Sequence, residues 1–341
     1  MRPLGKVLLF AVATLPTMRS TAQITLGNAT FEFASVEQGR EILARRDEFV
    51  SRMSPFDRAA RMKTDQNVTE KAYLDFVGAN VLPWSPDERE KVVTALQRVL
   101  PVLAGLHLTL PDRILFIKTT GNEEGGAAYT RSAAIVLPTG NLNEAAAKIE
   151  SLISHELFHV MSRANPKLRE KLYAAIGFAK CNEATFPEEL ALRKITNPDA
   201  PVNDHCIQLA VDGKKRWCIP ILFAKADRYD VQRGGEFFHY LQLRLQVGEF
   251  DEASSTFTPV TVGGKSKLVD IRETRGFFEQ VGKNTGYVIH PEEILADNFA
   301  LLVTGQRNLP SPEISAQLES LLRKSASDSA ASATSPSGSS N

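Results

Sequence analysis

The sequence predicts an α+β protein: a mixed sheet with an edge strand packed on a buried helix, then a second, largely helical C-terminal part. Three observations predict it. Arg113 to Thr120 is a run rich in branched and aromatic residues, which suits a strand, and Ala127 to Pro138 is a second strand candidate. The helix after them is apolar nearly all round, through Ile149, Leu152, Ile153, Leu157, Phe158, Val160 and Met161. Such a helix lies inside a domain rather than on its surface. Two helical patterns close the chain, one opening at Pro291 and one at Ser311. With 341 residues, 43% hydrophobic and 23% charged, the chain has the composition of a soluble globular protein and can bury a sizeable core.

The first residues are set apart from the rest. Arg2 and Lys6 precede the short apolar run VLLFAVATLP, and the small residues Ser20 and Ala22 precede Gln23. This layout predicts a signal peptide over 1–22, cleaved after Ala22, and an exported mature protein, periplasmic or secreted. The apolar run is about half the length of a membrane span, and no later segment is long enough for one. Lys plus Arg and Asp plus Glu balance at 40 each. Losing Arg2, Lys6 and Arg19 leaves a mature charge of about −3, which argues against a nucleic-acid partner.

An N-terminal helical region is expected over 23–110. In it, FEFASVEQGREILARRDEFVSRM reads as a helix, with Ser35 and Gln38 placed as a capping box. WSPDEREKVVTALQRVLPVLAGL is a second helix, capped by Ser85 with Pro86 in first position. The main domain is expected over 111–324. Its two strands flank the loop GNEEGG, and its buried helix runs from about Asn141, a capping residue, to the stop at Asn165-Pro166. A helical stretch to about Phe178 follows. FFHYLQLRLQV suits a strand or a helix. HPEEILADNFALLVTG is a helix with Pro291 first and Gly305 at its end, and SPEISAQLESLLRK is a last short one. The Ser/Ala-rich tail, 325–341, lacks apolar bulk and is expected to be disordered.

Cys181, Cys206 and Cys218 are the only cysteines. CIQLAVDGKKRWCIPILF reads as a hairpin around Asp212-Gly213. A three-residue loop would set Cys206 opposite Cys218, where a disulfide fits an oxidising compartment; a two-residue loop would put them on different faces. A bridge and two free buried thiols both stay open, with Cys181 left over.

The chemistry centres on SLISHELFHVMSR. His155 and His159 are four apart and share a helix face, so both rings can converge on one metal ion. Glu156, beside the first, is placed to take a proton from a water that the metal activates. Two core histidines with an ionised Glu156 in an apolar helix would be costly to bury without a dication. A third ligand is needed, since zinc prefers tetrahedral donor sets. Glu170 and Glu183 are near in sequence but follow the break at Pro166. Glu293 and Asp297 are four apart on a later helix that carries Ile294, Leu295 and Phe299. Glu293 can bind zinc while Asp297 holds a histidine in its ligating tautomer. Glu292 and Glu293 also suit an ordinary acidic first turn.

His155-Glu156-Leu157-Phe158-His159 with Glu293-Ile-Leu-Ala-Asp297 resembles the gluzincin metallopeptidases, of no particular subfamily. No third histidine follows His159 in HVMSRANPKLRE, so the metzincin pattern is absent. The resemblance implies a zincin-like fold with one zinc per chain held by His155, His159 and Glu293. It implies Glu156 as general base, Asp297 behind a zinc histidine, and Ala128 to Leu137 as the edge along which an extended peptide or protein substrate binds. Tyr287 is the first choice for the oxyanion donor, ahead of His290, Tyr129, His239 and Tyr240; His290 can instead cap the ligand helix. The expected activity is peptide-bond hydrolysis. The alternatives are a non-catalytic zinc-binding module and a zinc hydrolase of a non-peptide substrate.

Overall fold

The computed structural model describes residues 24–333, with side chains as far as Arg323. The signal-peptide segment 1–22 and the last part of the tail, 334–341, lie outside the described residues. No helix among the described residues is long and apolar enough to cross a membrane.

The protein is α+β. Among the described residues its first sheet has six strands: β1 (Ile24–Leu26), β2 (Ala29–Phe33), β3 (Val81–Leu82), β4 (Arg113–Thr119), β5 (Tyr129–Arg131) and β6 (Ala134–Pro138). The order is β1-β2-β4-β6-β5, with β3 added to the end of β4. The sheet is mixed, because β2, β4 and β6 run parallel while the other pairings are antiparallel. Helices cover both faces. Phe31, Ile114, Phe116, Ile135 and Leu137 pack with α5 (Pro86–Leu103) and α6 (Ala146–Ala164). On the other face Ile117, Ala134 and Val136 meet a cluster from α1 (Val36–Leu43), α2 (Glu48–Arg52), α3 (Pro55–Arg61) and α4 (Glu70–Ala79). Two-sided burial explains why these strands read as nearly continuous apolar runs.

Several sequence expectations change here. Ser35 does form a capping box, but the helix stops at Leu43 and Asp47 starts a second one, its side chain accepting from Val50 N. The preceding FEF is strand β2, so segment 23–110 supplies three strands of the first sheet as well as helices. Ala127 to Pro138 is a hairpin, not one strand, and turns at Ser132 with φ of 55°. The edge is therefore the three-residue β5, and β6 is internal. Asn141 lies in a short 3-10 turn and does not cap α6, which starts after Ala145 without a side-chain cap. Asn165 ends α6 and caps α7 (Pro166–Ala175).

The largest correction concerns the C-terminal part, which is not mainly helical. Between α7 and α8 (Phe277–Val281) lie β7 (Phe178–Lys180), β8 (His205–Val211), β9 (Lys214–Ala224), β10 (Leu241–Asp251), β11 (Thr256–Pro259), β12 (Thr261–Val262), β13 (Lys265–Ser266), β14 (Leu268–Val269) and β15 (Thr274–Arg275). All but the β12–β13 pair form one seven-stranded sheet, with every pairing antiparallel. The ambiguous FFHYLQLRLQV is mostly β10.

The β8–β9 turn has two residues, Asp212 and Gly213, both at positive φ, with Val211 opposite Lys214. Cys218 consequently faces Ile207, and Cys206 points to the other side of the sheet. The Cys206–Cys218 bridge is excluded, and all three cysteines are free. Cys206 instead shares its face with Cys181 of the adjoining strand region, where the register pairs Ala179 with Cys206.

The helix expected to carry the third ligand is α9 (Pro291–Val303), with Pro291 in first position and His290 as its cap. It packs against α6 more closely than any other helix does. The last helix, α10 (Pro312–Ala333), runs nine residues into the segment expected to be disordered. Alanine-rich sequence without Gly or Pro before Pro336 can extend a helix that tertiary packing has already started.

Candidate metal centre

The packing of α6 on α9 brings both halves of the motif together. His155 Nε2 lies 3.2 Å from Glu293 Oε2, and His159 Nε2 lies 3.7 Å from the same oxygen. Ligand atoms of all three residues fall within 4.8 Å of one another. Zinc bonds of about 2.0–2.1 Å in a tetrahedron place neighbouring donors roughly 3.3 Å apart, so this spacing suits such an ion. His159 Nε2 is buried without a hydrogen-bond partner, as is Glu156 Oε2. Orphaned groups in a protein interior call for an explanation, and two imidazole nitrogens with a carboxylate oxygen are a donor set that zinc takes. The residues fit a metal ion.

Each histidine is held from behind. His155 Nδ1 meets Asp297 Oδ1 at 2.9 Å, as expected, and the other Asp297 oxygen accepts from the Thr285 hydroxyl. His159 Nδ1 meets Glu292 Oε1 at 2.9 Å. Glu292 also accepts from Ser162 Oγ at 2.7 Å and from the Tyr173 hydroxyl. An N–H at Nδ1 leaves the Nε2 lone pair of each ring free for the ion. Glu292 is thus no ordinary first-turn acid. One step of about 100° around the helix separates it from Glu293, enough to aim the two carboxylates at different faces of His159.

The electrostatics follow from this packing. Burial opposes a charge on His155, yet its bonds to Asp297 and Glu293 outweigh that and hold the imidazolium well above its usual range. Burial also opposes the charge on His159, while the charges of Asp199 and Glu293 and the Glu292 bond raise it to about 9. Glu293 shows the converse: burial resists ionisation, but His159 and His155 draw it down to about 2. Burial first, and then the charge of Asp199, push Glu156 up to about 8. A dication would take over the part of the protons on the two histidines, so metal binding here releases protons.

Residues from an irregular segment also reach the centre. Asn197 Nδ2 donates to Glu293 Oε1 at 2.5 Å. Asp199 offers an oxygen within 4.8 Å of ligand atoms on Glu156 and His159. Asp199 Oδ1 also accepts from Thr130 N at 2.7 Å and Thr130 Oγ1 at 2.6 Å. The outward N–H of edge strand β5 is therefore already used, and an extended chain could pair there only if Asp199 withdrew. Neither Asn197 nor Asp199 stood out in sequence, since a segment without periodicity carries no positional signal.

The remaining candidates separate clearly. Tyr287 is 41% exposed. Partial burial and the nearby charges of Glu293, Asp199, Asp297 and Glu156 raise its pKa, keeping it protonated. Tyr129 is buried and donates to Glu123 Oε1 at 3.3 Å. Tyr240 bonds the Asp230 and Gly234 carbonyls, and His239 lies in the same outer cluster of the chain, beside Gly235. His290 caps α9, accepting from Glu292 N. Glu183 pairs with Arg52 on the surface. Comparison with known families, curated proteins and solved structures gives no match for this chain.

Proposed function

We propose that the protein is an exported, zinc-dependent peptidase of the gluzincin type. The observation that carries this reading is the convergence of His155, His159 and Glu293 beside a buried Glu156 with one unpartnered oxygen. His155, His159 and Glu293 would hold the ion, which when bound lowers the pKa of water and polarises a carbonyl. Glu156 takes a proton from the attacking water and returns it to the leaving amine. Burial and the charge of Asp199 raise the pKa of its carboxyl in the metal-free protein, and a dication beside it would favour the ionised form that accepts the proton. Asp297 and Glu292 fix the two rings. The protonated Tyr287 hydroxyl is the donor available to a developing oxyanion.

A second reading is a non-catalytic zinc-binding module. Asp199 favours it, because the side chain occupies the edge N–H of Thr130 and reaches toward His159. The test is Glu156→Gln, assayed for zinc content and for cleavage of a mixed peptide library. The peptidase reading predicts retained zinc and hydrolysis reduced by about 100-fold or more. Cleavage equal to wild type removes Glu156 as the base. Full zinc with no cleavage by the wild type favours the module.

A further inference from the structure

The irregular segment 195–203, which leads into β8, passes beside the metal centre. Both of its ends are tied to β9: Ile195 N donates to the Leu222 carbonyl at 3.0 Å, and Asn203 Nδ2 donates to the Pro220 carbonyl at 3.0 Å. Its middle reaches the first sheet and the centre. Asn197 Nδ2 donates to Glu293 Oε1, and Asp199 Oδ1 accepts from both Thr130 N and Thr130 Oγ1. Arg163 Nη2 lies 3.4 Å from the Asp199 carbonyl oxygen. The segment is thus a strap from the second sheet to the edge of the first.

Where the strap lands decides what it does. β5 has three residues, and its middle one, Thr130, gives its N–H to Asp199. An added strand takes its hold on a sheet edge from main-chain bonds, so this donor is the one it would need. The Asp199 carboxylate also comes within 4.8 Å of ligand atoms on Glu156 and His159. Two ionised carboxylates that close repel each other, so the placement of Asp199 beside Glu156 does not serve stability by itself.

The strap also has room to move. A cavity of about 390 Å³ is lined by 198–202 of the strap and by Thr130, Arg131 and Ser132. A second, of about 50 Å³, is lined by 195–199 and by Ala127, Ala128 and Tyr129. Protein interiors are normally packed with few voids, and here both border the same segment. Asp199 itself is half-buried, so its side chain can turn to solvent.

We propose that segment 195–203 is an internal strap that keeps the centre latent: Asp199 occupies the β5 edge, and an extended chain binds there only when the middle of the strap swings out. This rests on the peptidase reading above and adds its regulation.

The test uses the zinc-loaded mature chain and fluorescein-labelled casein. Binding is read by fluorescence anisotropy in the Glu156→Gln background, where no hydrolysis is needed. Adding Asp199→Ala should tighten binding at least about tenfold, because two hydrogen bonds no longer compete with the substrate. With Glu156 intact, Asp199→Ala should cleave casein at least about tenfold faster than the wild type. Thr130→Val removes one of the two bonds and keeps the edge N–H; it should give a smaller change of the same sign, and it serves if Asp199→Ala does not fold. Equal binding with and without these substitutions, or equal and measurable cleavage, would overturn the strap and leave the peptidase reading standing. Tighter binding with no cleavage by any form would keep the strap and remove the peptidase reading.

Discussion

Replacing Glu292 by Gln removes a charge from a 2% exposed side chain while keeping its shape. The carboxylate now accepts from His159 Nδ1, Ser162 Oγ and the Tyr173 hydroxyl. Burial opposes its ionisation, but those bonds and the His159 charge hold it below the usual carboxylate range. Glutamine keeps one accepting oxygen and puts an amide donor where the other stood. A charge-assisted bond contributes about 1.5–3 kcal/mol and a neutral one about 0.5–1.5 kcal/mol, so the metal-free fold should lose roughly 1–2 kcal/mol. The less basic, less firmly held His159 should weaken zinc binding by about 10–100-fold. Competition with a chromophoric chelator measures the affinity, and urea unfolding of the metal-free protein measures the stability. Lost stability with unchanged zinc affinity would refute the idea that Glu292 holds His159 for a metal.

Other outcomes follow from the same structure. Arg61 is 2% exposed and binds Glu124 at 2.9 Å as well as Asp57. Arg61→Met strands both carboxylates and should cost about 3–5 kcal/mol in urea unfolding; a loss below about 1 kcal/mol would contradict this account of the network. Glu123 is fully buried, and burial raises it to about 7. Its folded form keeps a proton that the unfolded chain releases, so stability is highest below the unfolded value and falls as pH rises through the folded one. The wild type should therefore lose up to about 3 kcal/mol relative to Glu123→Gln between about pH 5 and pH 8. A difference that is constant over this range would refute the assignment.

The legible parts of the centre were those with a fixed helical spacing. His155 and His159 share a face, Glu293 and Asp297 repeat the same interval, and α9 carried Pro291 as a start signal. Glu292 was hidden because two adjacent acids in a first turn look alike to the helix dipole, and only the direction of α6 tells them apart. Asn197 and Asp199 come from an irregular segment held by long-range contacts. Strand β2 was hidden too, because FEF runs straight into the Ser35 capping box and its period of two is only three residues long. The second sheet was seen as one hairpin and one run that suited a strand or a helix, and its cysteine pairing turned on a single loop residue. With Val211 opposite Lys214, the two-residue turn moves Cys206 and Cys218 to different faces.

In the proposed site Glu293 completes the zinc ligands begun by His155 and His159. Zinc per chain, by elemental analysis of the purified mature protein and of Glu293→Ala, tests it most directly. The wild type should hold about one zinc per chain, and the variant should retain it much more weakly. Equal, tight retention in both would remove Glu293 as a ligand. No zinc in either after metal is supplied would contradict the metal site altogether.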